Sequence, residues 1–176
     1  DIIRDITPYK DLLIIATQNG VCLFNPANGQ CRQLFKDSKE GKSIKMVADV
    51  VFDSEGTLWI AATGEGVFSY RFDTRKLTNY RHDAANPNSL SNNNVNNITQ
   101  DSKGNLWFST SGSGLDLYRP ETNDFENFDK GKNGLASDCI YETQESPTSG
   151  KLLLITNEGF SIFDYRNKDF NNYSAE

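Results

Sequence analysis

Apolar residues and glycines recur along this chain in four copies of one pattern. DLLIIATQNGVCLFNPANGQCRQL, GTLWIAATGEGVFSYRFDTRKLTNY, GNLWFSTSGSGLDLYRPETNDFENF and GKLLLITNEGFSIFDYRNKDFNNY align on Gly20, Gly66, Gly114 and Gly159, which are 46, 48 and 45 residues apart. Four positions after each anchor stands an aromatic: Phe24, Tyr70, Tyr118 and Phe163. Eleven positions after it lie Cys31, Leu77, Phe125 and Phe170, and fourteen after it Leu34, Tyr80, Phe128 and Tyr173. A period of this length is the mark of stacked supersecondary units.

The third copy shows what one unit is. Val95–Gln100 has a mixed strand pattern, and Asp101–Gly104 is a turn in which Asp can accept from the backbone and Gly supplies positive φ. Leu106–Thr110 starts as a continuous apolar run, as a strand covered on both faces requires. Ser111–Gly114 turns the chain, Leu115–Tyr118 forms a third strand, and a Pro-led turn leads to Asp124–Phe128, where Phe125 and Phe128 bracket polar residues. Short turns between short strands make an antiparallel meander. No segment keeps a 3.6-residue period, so no long helix is expected. A single meander of this size buries too little surface to stand alone and must stack on its neighbours. The polar links Lys36–Lys45, Arg81–Asn94 and Lys130–Asp138 then carry the chain from the outer edge of one sheet to the inner edge of the next. The expected fold is all-β: a β-propeller segment of about four four-stranded antiparallel blades, near 1–45, 46–93, 94–138 and 139–176, from a ring of about seven. A β-solenoid would need coils of roughly 20–30 residues, shorter than this spacing.

Composition narrows the function. The 18 Lys and Arg residues are scattered and the net charge is −6, so nothing would neutralise nucleic-acid phosphates or an acidic membrane surface. The longest apolar runs, Leu12–Ala16 and Leu152–Ile155, have strand length, which predicts no membrane insertion by this segment. Three cysteines without a CxxC pattern argue against zinc. Cys31, in a column of Leu77, Phe125 and Phe170, reads as a small buried hydrophobe, with a Cys22–Cys31 bridge as the alternative.

The stretch HDAANPNSLSNNNVNNITQDSKGNLWFSTSGSGLDLY, His82 to Tyr118, resembles the two-component regulator propeller repeat through Ser89, Leu90, Asn93, Val95, Asp101, Gly104, Asn105, Leu106, Trp107, Gly114, Leu115, Tyr118 and Pro120. The second copy matches through Asp53, Gly56, Leu58, Trp59, Gly66, Val67 and Tyr70, while Ile14 and Leu153 stand in the first and fourth where the tryptophans would be. The resemblance implies the periplasmic sensor region of a hybrid two-component histidine kinase of Bacteroides-type bacteria, involved in oligosaccharide sensing and signal coupling. The chain has neither the phosphoacceptor helix nor the ATP-binding segment of such a kinase, so it is expected to be non-catalytic. The alternative is a structural interaction or dimerisation propeller without its own ligand.

Candidate sites are few. Trp59 and Trp107 could stack on a sugar but read better as inter-blade core. The DSEG and DSKG turns lack the further ligands of a calcium loop and read as Asx turns. Gly41-Lys42-Ser43 lacks the upstream glycine of a phosphate loop, and Ser111-Gly-Ser-Gly114 has the wrong spacing for a nucleophile elbow. No catalytic group, metal site or cofactor is expected. The candidate ligand-binding residues are Arg81, His82, Asn92, Asn93 and Asn94 on the second link, whose side chains could hydrogen-bond sugar hydroxyls. The expected partners are an oligosaccharide, the remaining blades of the parent chain and a second copy of this chain, with no nucleic acid.

Overall fold

A computed structural model describes residues 1–37 and 41–174. Four sheets follow one another along the chain. The first holds β1 (Ile3–Tyr9), β2 (Leu12–Thr17), β3 (Gly20–Asn25) and β4 (Gln30–Gln33), and the second β5 (Val47–Phe52), β6 (Thr57–Ala62), β7 (Gly66–Arg71) and β8 (Lys76–Tyr80). The third holds β9 (Val95–Gln100), β10 (Leu106–Thr110), β11 (Leu115–Arg119) and β12 (Asp124–Phe128), and the fourth β13 (Ile140–Glu145), β14 (Leu152–Thr156), β15 (Gly159–Asp164) and β16 (Asp169–Tyr173). Each sheet is a sequential antiparallel meander, and the first strands β1, β5, β9 and β13 lie side by side. This is a partial β-propeller of four blades. The third link carries one helical turn, α1 (Lys130–Asn133), capped by the Asp129 carboxylate, and a 3-10 turn spans Gly41–Ser43. Part of the link expected at Lys36–Lys45, residues 38–40, lies outside the described residues.

The repeat anchor has a steric cause. Gly66, Gly114 and Gly159 have φ of 82°, 82° and 124°, and a Cβ there would sit 2.2, 2.0 and 2.1 Å from the carbonyl oxygens of Tyr80, Phe128 and Tyr173. Only glycine allows the third strand to start this close to the end of the fourth.

The second strands β6 and β10 are apolar at successive positions because both faces are covered. Leu58 and Ile60 pack towards the first sheet with Ile14, Val50 and Phe68, whereas Trp59 and Ala61 pack towards the third with Ile98, Phe108 and Phe125. Trp107 turns to the fourth sheet and joins Leu117, Phe128, Leu154 and Phe163. Both tryptophans are inter-blade core, at 3% and 0% exposure. Each indole also donates to its own turn: Trp59 Nε1 to Asp53 Oδ2 at 2.8 Å and Trp107 Nε1 to Asp101 Oδ2 at 2.9 Å. The other carboxylate oxygens close the Asx turns, accepting from Glu55 N and Thr57 N, and from Lys103 N and Asn105 N. One aspartate thus ties a surface turn to a core aromatic.

The inner strands carry a second repeated device. A register shift follows Ile3, Val47 and Ile140 and sets apart Val95 in β9, so Asp5, Asp49, Asn97 and Glu142 take equivalent places. Val50 N donates to Asp5 Oδ2 at 3.3 Å, Ile98 N to Asp49 Oδ2 at 2.7 Å, and Thr143 N to Asn97 Oδ1 at 2.9 Å. In the first three blades the bulge re-aims one side chain so that it accepts a backbone N–H of the next blade.

The reading of Cys31 as a buried hydrophobe is corrected. Strand β4 is an outer edge strand exposed along its length, so no core exists there for the side chain to enter. Cys31 instead forms a disulfide with Cys22, diagonally across the β3–β4 pair, with Cα atoms 6.1 Å apart. Closing so short a loop stabilises the folded chain by roughly 2–3 kcal/mol. Cys31→Ser is therefore expected to lower the urea midpoint under non-reducing conditions and to leave it unchanged in dithiothreitol; equal midpoints without reductant would rule the bridge out.

Candidate functional site

The link from Arg81 to Asn94 folds back over the third blade, and its own polar side chains hold it there. Asn93 Oδ1 accepts from His82 N at 2.8 Å, and the Asn93 carbonyl accepts from both Gly64 N and Gly66 N. Asn92 Oδ1 accepts from Asn94 N at 2.9 Å, and its Nδ2 donates to Ser113 Oγ at 3.2 Å. The Asn94 carbonyl accepts from Ser111 N. Arg81 turns away to the Glu65 carboxylate and the Gly64 carbonyl. The structure therefore brings His82 and Asn92–Asn94 together, with Arg81 at their edge, and uses most of their polar atoms to shape the link.

His82 also lines an open groove of about 370 Å³ beside Ser91, Ser113, Asn127, Asp129, Lys132 and Asp138; Arg81 and the three asparagines are not in its wall. The ring Nδ1 of His82 lies 3.0 Å from the Leu90 carbonyl, which can only accept, so Nδ1 carries a proton and donates it there. Carboxylates outnumber cations in this wall, which favours a ligand that donates hydroxyl protons over an anionic one.

Beneath the groove Asp116 is fully buried on β11. Its Oδ2 accepts from Ser91 N at 2.8 Å and Ser91 Oγ at 2.9 Å, and its Oδ1 from Asn127 Nδ2 at 2.7 Å. Burial pushes its carboxyl from the ordinary 3.8 up to about 6, against the pull of these three donors and of the nearby His82. Asp49 rises to about 6 as well, chiefly by burial and further through Asp5, with the Ile98 N–H opposing. Residue-by-residue reading of the sequence missed Asp116, although a signal was present. Two positions after the anchors stand Cys22, Phe68, Asp116 and Ser161, and a lone charge in that column marks a buried exception.

Residues 89–112 match the two component regulator propeller family. The chain carries that repeat where the link enters the third blade. No curated protein matches it. Among solved structures it is similar to the extracellular domain of BT3049 of B. thetaiotaomicron, described as a hybrid two component system, with a TM-score of 0.84 and 24% identity over 97% of this chain and 24% of that one. PorZ, a surface component of the type-IX secretion system of Porphyromonas gingivalis, gives 0.70 and 16% over 92% of this chain and 26% of that one. The WD40 propeller domain of Doa1 gives 0.67 and 8% over 95% and 52%. These likenesses establish the propeller fold. The chain spans about a quarter of the length of the first two.

The buried carboxyls set a pH dependence. Between about pH 4 and 6 the folded chain holds protons on Asp49 and Asp116 that the unfolded chain has released, so stability rises as pH falls through this window. The gain due to Asp116 is at most about 3 kcal/mol. In Asp116→Asn the slope of unfolding free energy against pH between about 5 and 6 is expected to become less negative by the Asp116 share; an unchanged slope in urea titrations would refute the assignment.

Proposed function

We propose that this chain, which carries the two component regulator propeller repeat at residues 89–112, is part of the periplasmic sensor region of a hybrid two-component regulator and takes part in detecting an oligosaccharide. The observation that carries this reading is the repeat itself, lying in sheets that stack as those of an extracellular domain described as two-component do. The Cys22–Cys31 disulfide supports an oxidising compartment. No helix among the described residues is long and apolar enough to cross a membrane, and the kinase activity is assigned to other parts of the parent protein, whose ring we take to have about seven blades.

The mechanism rests on the links. The groove wall combines the link into the third blade with Asp129, Lys132 and Asp138 from the link into the fourth, so a ligand there touches groups whose positions depend on how successive blades sit. A ligand that fits one arrangement better shifts the population towards it, and the rest of the parent reads the shift. A panel of neutral and acidic oligosaccharides is expected to contain one class that raises the melting temperature of the chain in proportion to the logarithm of its concentration. If no saccharide moves it, the sensing reading is wrong.

A second reading, an association platform, is favoured by one surface. Tyr141, Ile155, Phe160 and Tyr173 of the fourth blade are about half exposed, and Ile155 and Phe160 occupy the places that Ala61 and Val67 use in the second blade to pack on the third. The next blade of the parent chain would cover this face, and in its absence a second copy presenting its first blade would do so. Light scattering is then expected to show mass rising with concentration, and Ile155→Glu to restore the monomer. A monomer at every concentration would discard this reading.

A further inference from the structure

The three interfaces between sheets follow one rule, and the middle one breaks it twice. Three residues after the anchoring glycine, the side chain points at the following sheet: Leu23 packs into the first interface and Leu117 into the third. The same position in the second sheet is Ser69. Six residues after the glycine, the side chain points back at the preceding sheet: Phe72 packs into the first interface and Tyr165 into the third. The same position in the third sheet is Pro120. The second interface therefore lacks both large side chains that close the other two.

The consequence is a groove of about 690 Å³ at the end of the molecule opposite the links, with Ser69 and Pro120 both in its wall. Its volume is that of sites for small organic ligands. Tyr80 and Tyr118, both half-buried, line it as an aromatic floor resting on the buried Trp59, with Trp59 and Tyr80 stacked at 5.6 Å and Trp59 and Tyr118 edge-on at 4.9 Å. The hydroxyls of Tyr80 and Tyr118 both donate to Asn123 Oδ1, each at 2.9 Å. Asn123 is exposed, so its amide N–H groups are free to donate to a guest. The two guanidiniums in the wall are already held in two-pronged contacts, Arg71 by Asp73 and Arg119 by Asp124. Of the other charged groups in the wall, Lys76 and Lys103 stand against Asp53, Glu55 and Glu121, so no positive excess dominates what is otherwise aromatic surface ringed by hydroxyls and amides.

We infer that this inter-blade groove is a binding site for a neutral, polyhydroxylated ligand of one to three sugar rings. Sugar C–H faces suit the aromatic floor and sugar hydroxyls suit Ser69 and Asn123, while the carboxylates Asp53, Glu55 and Glu121 of the wall disfavour an anion and its polar rim a long apolar chain. The inference rests on the saccharide reading above and adds a second location to it, away from the link groove.

The chain's two tryptophans make the test internal. Trp59 lies in the groove wall, while Trp107 is sealed in the third interface at 0% exposure. Cellotriose, xylotriose and maltotriose are titrated into the chain while the two indole N–H resonances are followed. At least one sugar is expected to move the Trp59 resonance and leave that of Trp107 in place. Ser69→Leu installs the residue that the first and third sheets carry at this position, so the fold accommodates it, and is expected to weaken binding at least about tenfold. Tyr118→Phe keeps the ring but removes one hydroxyl from Asn123, and is expected to weaken binding about fivefold; it decides the matter if Ser69→Leu does not fold. A sugar that raises the melting temperature equally in the parent chain and in Ser69→Leu, with Trp59 unmoved, overturns the groove and leaves saccharide sensing standing. Three sugars that change neither resonance nor melting temperature overturn the groove and count against the saccharide reading with it.

Discussion

Each interface in this protein contains the same hydrogen bond, from the N–H of an inner strand to a side chain of the preceding blade. Asp5, Asp49 and Asn97 accept in turn from Val50, Ile98 and Thr143. The bond is available because a bulge displaces one residue per inner strand and swings the next side chain across the gap between sheets. Apolar packing alone would let two flat sheets slide over each other, since the hydrophobic effect has no direction. A fixed acceptor opposite a fixed donor sets one register. Its cost is visible in Asp49, whose carboxyl is held above its ordinary range by burial beside Asp5.

The interfaces gain further specificity from pairs of residues that occur together. The second and third blades have both the Asp-x-x-Gly turn and the tryptophan six residues after its aspartate, and the indole donates to that aspartate in each. The first and fourth blades have neither: Ile14 and Leu153 carry no donor, and their β1–β2 and β13–β14 turns are Lys10–Asp11 and Ser146–Lys151. A buried indole N–H needs an acceptor, and an aspartate already closing a turn supplies its second oxygen. The two features are therefore one structural unit, and this removes them as independent evidence for a sugar platform or a calcium loop.

The groove between the second and third blades and the buried Asp116 both arise where the repeat departs from itself. Ser69 for leucine and Pro120 for an aromatic leave space; Asp116 in a column of small and apolar residues pulls Ser91 and Asn127 towards the core. A repeat spreads the work of stability over many similar contacts, which leaves single positions free to be spent on recognition. The link residues show the opposite case. Their asparagines looked available to a ligand in one dimension, yet Asn92 holds the link to the third blade, and Asn93 ties it to His82 and to the second.

Periodicity in the text determined the meander, the stacking, the anchor glycines and the burial of Trp59 and Trp107, because these are set by local sterics and by alternation within one blade. Pairing across blades is different. That Asp49 meets Ile98 N, and that Ser69 and Pro120 face the same gap, depend on residues 49 and 51 positions apart being brought together. Only the tertiary arrangement decides this, since each contact is fixed by how one sheet lies on the next and not by the sequence around either partner.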